Sequence, residues 1–180
     1  MRNFANTQQK LNTMTNKTKQ IILTGILLMI FSIQGFSQYG ETTCDNRVKT
    51  KLDDLGIKYE INSSGNFKLI FKMENERTQL VIINSETYQY GNIEVREIYS
   101  RSAFVKNKTE FTQQNLFYLL QDNSKQKIGA WQIDGSTEYS LNFSLRASAN
   151  TTSDNLDDLI RLVAKVADEM EQKLTKEDKN

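Results

Sequence analysis

The sequence predicts an α+β fold: a twisted antiparallel sheet with helices packed on it, in the order α-β-β-β-(β)-α-β-β-α. Three observations predict it. From Leu55 to Met73 the chain runs through a helix end, a glycine stop at Gly56, a short strand, a turn and a second strand. Tyr139, Leu141, Phe143, Leu145 and Ala147 alternate strictly with polar residues, the period of a strand with one buried and one wet face. Leu156, Leu159, Ile160, Val163, Ala167, Met170 and Leu174 recur at helical spacing and give a long amphipathic helix. Antiparallel neighbours with helices laid on them make a layered α+β domain.

The front of the chain carries a different signal. Residues 1–37 hold Arg2, Lys10, Lys17 and Lys19 and no acid, then the uncharged apolar run Ile21 to Phe31, then small residues at Gly35 and Ser37. A basic segment, an apolar core and a small-x-small end are the order of a secretory signal peptide. The run is short against the ~20 residues of a membrane span. Cleavage is expected between Ser37 and Gln38, giving an exported protein, periplasmic or extracellular, with no stable membrane insertion afterwards. Met14 precedes Lys17 by three residues and gives a conventional short basic segment, so it is the expected start. The expected domains are the signal at 1–37, a flexible lead at 38–44, one α+β domain at 45–174 and a charged tail at 175–180.

Composition removes several function classes. The signal holds four of the 23 basic residues, which leaves 19 basic against 22 acidic and a net charge of about −3. That balance gives no attraction to nucleic acid or to an anionic membrane. Histidine, the usual general base and metal ligand, is absent, as is proline. The single cysteine, Cys44, has no internal disulfide partner, and Glu41-Thr42-Thr43 before it is no lipobox.

Cys44, Val48, Leu52 and Leu55 share one face of a first helix, capped by Thr42 or Thr43 and stopped by Gly56. Ile57, Tyr59 and Ile61 form a half-buried strand, and Phe67, Leu69, Phe71 and Met73 a second beyond the turn Asn62 to Asn66. Leu80 to Ile83 is apolar on both faces, as in a central strand. Ser85 to Asn92 reads as a loop. Ile93 to Val105 is extended with imperfect alternation. Thr109 caps a second helix with Phe111, Leu116, Leu119 and Leu120 inward, ended by Asp122-Asn123-Ser124. Ile128 to Ile133 is a strand, Asp134-Gly135 a hairpin turn, and Thr151 or Ser153 caps the last helix. Asp154, Asp157 and Asp158 suit the positive end of its dipole.

The string Leu52-Asp53-Asp54-Leu55-Gly56-Ile57-Lys58-Tyr59-Glu60-Ile61 resembles the opening of the YbjN family, where a helix ending in leucine-glycine feeds a strand carrying Tyr-Glu. The apolar hairpin, the middle helix before Ile128-Gly129-Ala130-Trp131, the alternating strand and the acidic-capped helix are similar too. The resemblance covers Asp45 to Leu174. It implies a fold like that of type III secretion chaperones and a regulatory or protein-binding role, with no catalytic residue to carry over. The export signal departs from the better-known members and puts a cytoplasmic regulatory role in doubt.

Candidate chemistry is thin. Ser124 and Lys127 have the Ser-x-x-Lys spacing of serine acylating enzymes, and Ser153-Asp154-Asn155 spells a companion motif. Yet in those enzymes the serine opens a helix, whereas Ser124 follows one and no Lys-Thr-Gly element is present. Asp53-Asp54 and Asp157-Asp158 are adjacent on helices, about 100° apart, so neither makes a dyad by itself. Cys44 lies on an apolar stripe and reads as a small hydrophobe. Trp131, Tyr88, Tyr90 and Tyr99 read as core and rim packing. No cofactor, metal ligand set or catalytic residue is assigned. The leading expectation is an exported, non-enzymatic, protein-binding or chaperone-like domain with an unidentified protein partner. The rival is a small periplasmic ligand-binding protein or enzyme. Ile93 to Val105 is the expected edge strand, with Ile98, Tyr99 and Phe104 as an interface that would serve a homodimer.

Overall fold

In the computed structural model, which describes residues 43–174, the chain runs α1 (Asn46–Asp54), β1 (Glu60–Ile61), β2 (Phe67–Lys72), β3 (Thr78–Tyr90), β4 (Ile93–Val105), α2 (Gln113–Asn123), β5 (Ala130–Asp134), β6 (Tyr139–Ser148) and α3 (Ser153–Leu174). The six strands make one antiparallel sheet in the order β1-β2-β3-β4-β6-β5. The chain therefore adopts the α+β class expected of it. The signal with its Ser37/Gln38 junction, most of the 38–44 lead and the 175–180 tail lie outside the described residues.

Local chemistry sets the helix starts one to three residues from the expected caps. Asp45, not Thr42 or Thr43, caps α1, because its carboxylate accepts from the Arg47 amide at 2.8 Å. Thr112, not Thr109, caps α2 by accepting from the Asn115 amide at 3.1 Å. Asn107 instead caps the short turn Lys108–Glu110. Thr152, between the two expected candidates, accepts from the Asn155 amide at 3.3 Å at the start of α3. Gly56 sits at φ +65° just past α1, the left-handed position that ends helices.

Two expectations about the strands are corrected. Ser85 to Asn92 is not a loop. β3 runs through to Tyr90, and a tight turn at Gly91 leads into β4, so the two strands form a hairpin of thirteen residues on each side. The polar residues there are held by side-chain bonds: Ser85 donates to the Gly65 carbonyl at 2.5 Å, and Thr87 to Glu94 at 2.7 Å. The second correction concerns Ile93 to Val105, which is not an edge. β4 lies inside the sheet between β3 and β6. Its imperfect alternation comes from a register shift between Arg101 and Ala103, which rotates the strand's second half. The free strands are β1, only two residues long, and β5.

The core lies on one face of the sheet. Phe67, Leu69, Val81, Ile83, Ile98, Leu141, Phe143 and Leu145 meet Leu156, Ile160, Val163, Ala167 and Met170 of α3. α1 adds Val48 and Leu52 beside α3. Polar groups pin this arrangement at two places that the hydrophobic pattern could not show. Arg77, just before β3, bridges Asp168 at 2.7 Å and Glu171 at 3.0 Å on α3. Both acids are buried, at 4% and 1% exposure, although in sequence they look like part of a wet helix face. Arg96, on the core face of β4, reaches Asp45 at 2.5 Å. Arg47 in turn grips Asp45 and Glu94.

Candidate functional site

Side chains that point away from α3 build a shallow trough of about 670 Å³ on the open face of the sheet. Alternation puts Leu80, Ile82 and Asn84 of β3 there, with Glu97, Tyr99 and Arg101 of β4 beside them. The register orders the rows. Glu97 stands opposite Arg146, Tyr99 opposite Ser144 and Ile82, and Arg101 opposite Asn142, which itself faces Gln132 of β5.

Glu97 is the hub. It accepts from Ser144 Oγ at 2.6 Å, Gln132 Nε2 at 3.0 Å and Asn84 Nδ2 at 3.2 Å, and also from Arg146 Nη1. Burial alone would push its carboxyl upward, but these donors outweigh burial and hold it below the ordinary value. A carboxylate tied down in this way is an ionised anchor, and it is a poor general acid at neutral pH. The Tyr99 phenol is pushed up by burial, reinforced by the negative charge of Glu97 and Asp134, so it remains a neutral donor. Two acceptors among the lining groups have no donor, Asn84 Oδ1 and Asn142 Oδ1. Among the described residues no group of three His, Cys, Asp or Glu side chains comes together to hold a metal.

A second surface lies at the β5 end of the sheet. α2 packs chiefly against β5, a strand of five residues that is too small to cover it. Of the four expected inward residues, only Leu119 is buried. Phe111 is half-buried, and Leu116 and Leu120 are exposed together with Phe117. Leu116, Leu119 and Leu120 meet Trp131, Ile133 and Leu141 around an apolar groove of about 300 Å³. The β5 edge itself is partly closed. Asn123 accepts from the Trp131 amide at 2.6 Å and its own amide group donates to the Trp131 carbonyl at 3.4 Å. A side chain thus occupies the backbone groups that another strand would need.

The expected interface residues are not brought together. Ile98 is fully buried in the core, Tyr99 is half-buried on the trough floor, and Phe104 is 46% exposed beneath the Arg101 guanidinium, 5.7 Å from the ring centre. Ser124 closes α2 and donates to the Gln121 carbonyl at 2.7 Å, so it follows a helix as expected of an accidental motif match. Ser153-Asp154-Asn155 is the first turn of α3. Asp53 pairs with Lys49 and Tyr59, and Asp157 with Arg161. Cys44 is half-buried against the core.

No protein-family model matches the chain, and no curated protein matches it. Among solved structures it is similar to the crystal structure of YbjN from E. coli, a candidate transcription regulator. The two share 12% identity with a TM-score of 0.48, over 75% of this chain and 95% of that one. Among the described residues no helix is long and apolar enough to cross a membrane. The apolar run 21–31 lies outside them.

Proposed function

We propose that this chain is an exported, non-enzymatic protein-binding domain of chaperone-like type, and that its docking surface is the groove between α2 and β5. One observation carries the reading: Leu116, Phe117, Leu120 and Ile133 stand exposed beside that groove, at 37%, 62%, 68% and 40%. Contiguous exposed apolar surface of this kind marks interaction sites. With Asn123 occupying the backbone of Trp131, the partner docks through side chains and adds no strand. Lys125 and Lys127 are exposed in the adjoining loop, so the occupant is an amphipathic segment whose large apolar anchors are flanked by acids.

Selection of random peptides on the protein tests this. Binders are expected to carry paired large apolar residues with neighbouring Asp or Glu. Leu120→Lys should weaken them by about tenfold or more, equivalent to ~1.4 kcal/mol, without moving the unfolding midpoint. Binders that ignore Leu120→Lys would show that the groove is not the docking surface.

Export rests on the order of basic, apolar and small residues in 1–37. Intact-mass measurement on protein from the producing cell is expected to show a chain that begins near Gln38. Recovery of the uncut chain from the cytosol would refute export without touching the docking surface.

A further inference from the structure

We infer that two copies of the chain pair through the outer edge of β3 at Glu86–Tyr90, so that their sheets join into one. β3 outruns its neighbour. β2 flanks it only as far as Ile83, which stands opposite Phe67, the first residue of β2. The turn before β2 closes over Ser85, whose amide donates to Asn66 Oδ1 at 3.0 Å. A register shift between Ile83 and Thr87 then bends the strand. Past it, Thr87 to Tyr90 pairs with β4 on one side, and on the other side no described residue accompanies it.

The ladder fixes which backbone groups look out on that open side. The Glu94 carbonyl accepts from the Ala149 amide at 2.9 Å on the β6 side, so Glu94 turns its backbone away from β3. Its partner Gln89 therefore turns away from β4. By alternation Tyr88 and Tyr90 bond inward to β4, and Thr87 points outward with Gln89. Free N–H and C=O groups along an extended edge recruit another strand. The usual guards of such an edge are absent: from Ser85 to Ile93 there is no Lys, Arg or Pro, and Glu86 is the only charge. Tyr88, Tyr90 and Ile93 share one face of this hairpin end and are 48%, 83% and 61% exposed.

The sequence of the segment selects a second copy as the occupant. An antiparallel strand centred on Tyr88 sets Tyr88 against the same residue of the copy, Thr87 against Gln89 and Glu86 against Tyr90. Thr87 and Gln89 then exchange backbone bonds on each side of the two-fold axis. Centring on Thr87 would require Ser85, already bonded to Asn66, and centring on Gln89 runs into the Gly91 turn. No like charges are opposed, and the two Tyr88 rings meet at a non-hydrogen-bonded position, where side chains lie closest. A foreign strand draws its specificity from pockets for alternate side chains, whereas Tyr88 and Tyr90 stand out from the surface. So short a segment buries less than the ~800 Å² per partner of a standard interface, and the pairing is weak, with a Kd on the order of 100 µM. β4 and β6 separate this edge from β5, so the apolar groove of each copy stays open.

Sedimentation equilibrium of the purified protein from about 5 to about 500 µM is expected to show a monomer–dimer equilibrium. Tyr88→Lys, which sets like charges against each other on the axis, should weaken it by about tenfold or more without moving the unfolding midpoint. Leu120→Lys should leave it unchanged. Amide exchange reads the strand pairing itself: the Thr87 and Gln89 amides should slow as concentration rises, while that of Tyr88, turned toward Val95, should not change. In a Cys44→Ala background, Tyr88→Cys should give a disulfide-linked dimer, because residues opposed at that position have Cα atoms about 4.5 Å apart. Gln89→Cys, more than ~7 Å from its counterpart, should not. A monomer at every concentration would overturn the proposal. So would a dimer that survives Tyr88→Lys or is lost in Leu120→Lys, exchange at Thr87 and Gln89 that ignores concentration, or cross-linking through Gln89→Cys as readily as through Tyr88→Cys.

Discussion

Asp45→Ala is expected to lower folding stability by about 3–5 kcal/mol, the cost of leaving a buried charge without its partner. Arg96 is 1% exposed in the middle of the sheet, and Asp45 is its counter-ion at 2.5 Å. Its guanidinium also donates to the Asn84 carbonyl at 2.9 Å. The substitution also removes the α1 cap, worth about 1 kcal/mol. Arg47 would keep Glu94 but lose Asp45. Urea unfolding measures the loss. Arg96→Met in the Asp45→Ala background is expected to recover part of it, because replacing both members of a buried pair with apolar groups is often close to neutral. A loss below about 1 kcal/mol for Asp45→Ala would mean that Arg96 finds water or another acceptor.

The same network sets the acid limit of the fold. Burial acts to raise the Asp45 carboxyl, but hydrogen bonds from Arg47 and Arg96 overcome it and hold the group far below its ordinary range. Glu94 is lowered to about 2, first by Arg47 and then by Thr87. Groups depressed in the folded state stabilise it above their unfolded pKa near 4. That contribution is lost as pH falls through the folded value. Wild-type stability should therefore decline from about pH 4.5 downward, with a shallower decline in Asp45→Ala.

The sheet's buried half was legible in the sequence because it rests on period. Phe67, Leu69, Leu141, Phe143 and Leu145 repeat every second residue, and the α3 stripe repeats at helical spacing, so burial could be read directly. Ser85 to Tyr90 failed because its own residues look like a loop, while its strand is made by pairing across the Gly91 turn with Ile93 to Arg96 and by the bond from Ser85 to the more distant Gly65 carbonyl. Ile93 to Val105 was misplaced because Arg96 and Ser100 are buried polar residues within it. Arg96 resembles the charges of an edge until its partner Asp45 is known. The α2 stripe was read correctly as apolar, but a stripe does not say how much sheet lies beneath it. The trough was least visible of all. Glu97, Arg101 and Asn142 are ordinary wet-face residues until the register brings them side by side.

Phe143→Ala is expected to cost about 3–5 kcal/mol, within the range for removing a fully enclosed ring. Phe143 is fully buried and stands opposite Ser100 on one side and Trp131 on the other. Its ring meets Trp131 edge to face, with centres 5.1 Å apart and planes at 62°. Trp131 in turn donates to Asp122 of α2 at 2.8 Å and is framed by Asn123. The ring therefore supports the attachment of α2 as well as filling volume, and amide exchange in Gln113–Asn123 should speed up more in this variant than in Leu69→Ala, for which a loss of about 2–5 kcal/mol is expected. Gly129 reports on the same space. A Cβ there would fall 2.8 Å from Phe143 Cζ, at φ +84°. Gly129→Ala should cost about 1–3 kcal/mol in wild type through crowding. In the Phe143→Ala background the clash with the ring disappears, and what remains is the backbone strain and the contact with the Ser144 carbonyl at 2.9 Å. The two substitutions should thus be less than additive by ~1 kcal/mol. Strict additivity, or a loss below about 0.5 kcal/mol for Phe143→Ala alone, would show that the ring does not fill the space between β6 and the Gly129 backbone.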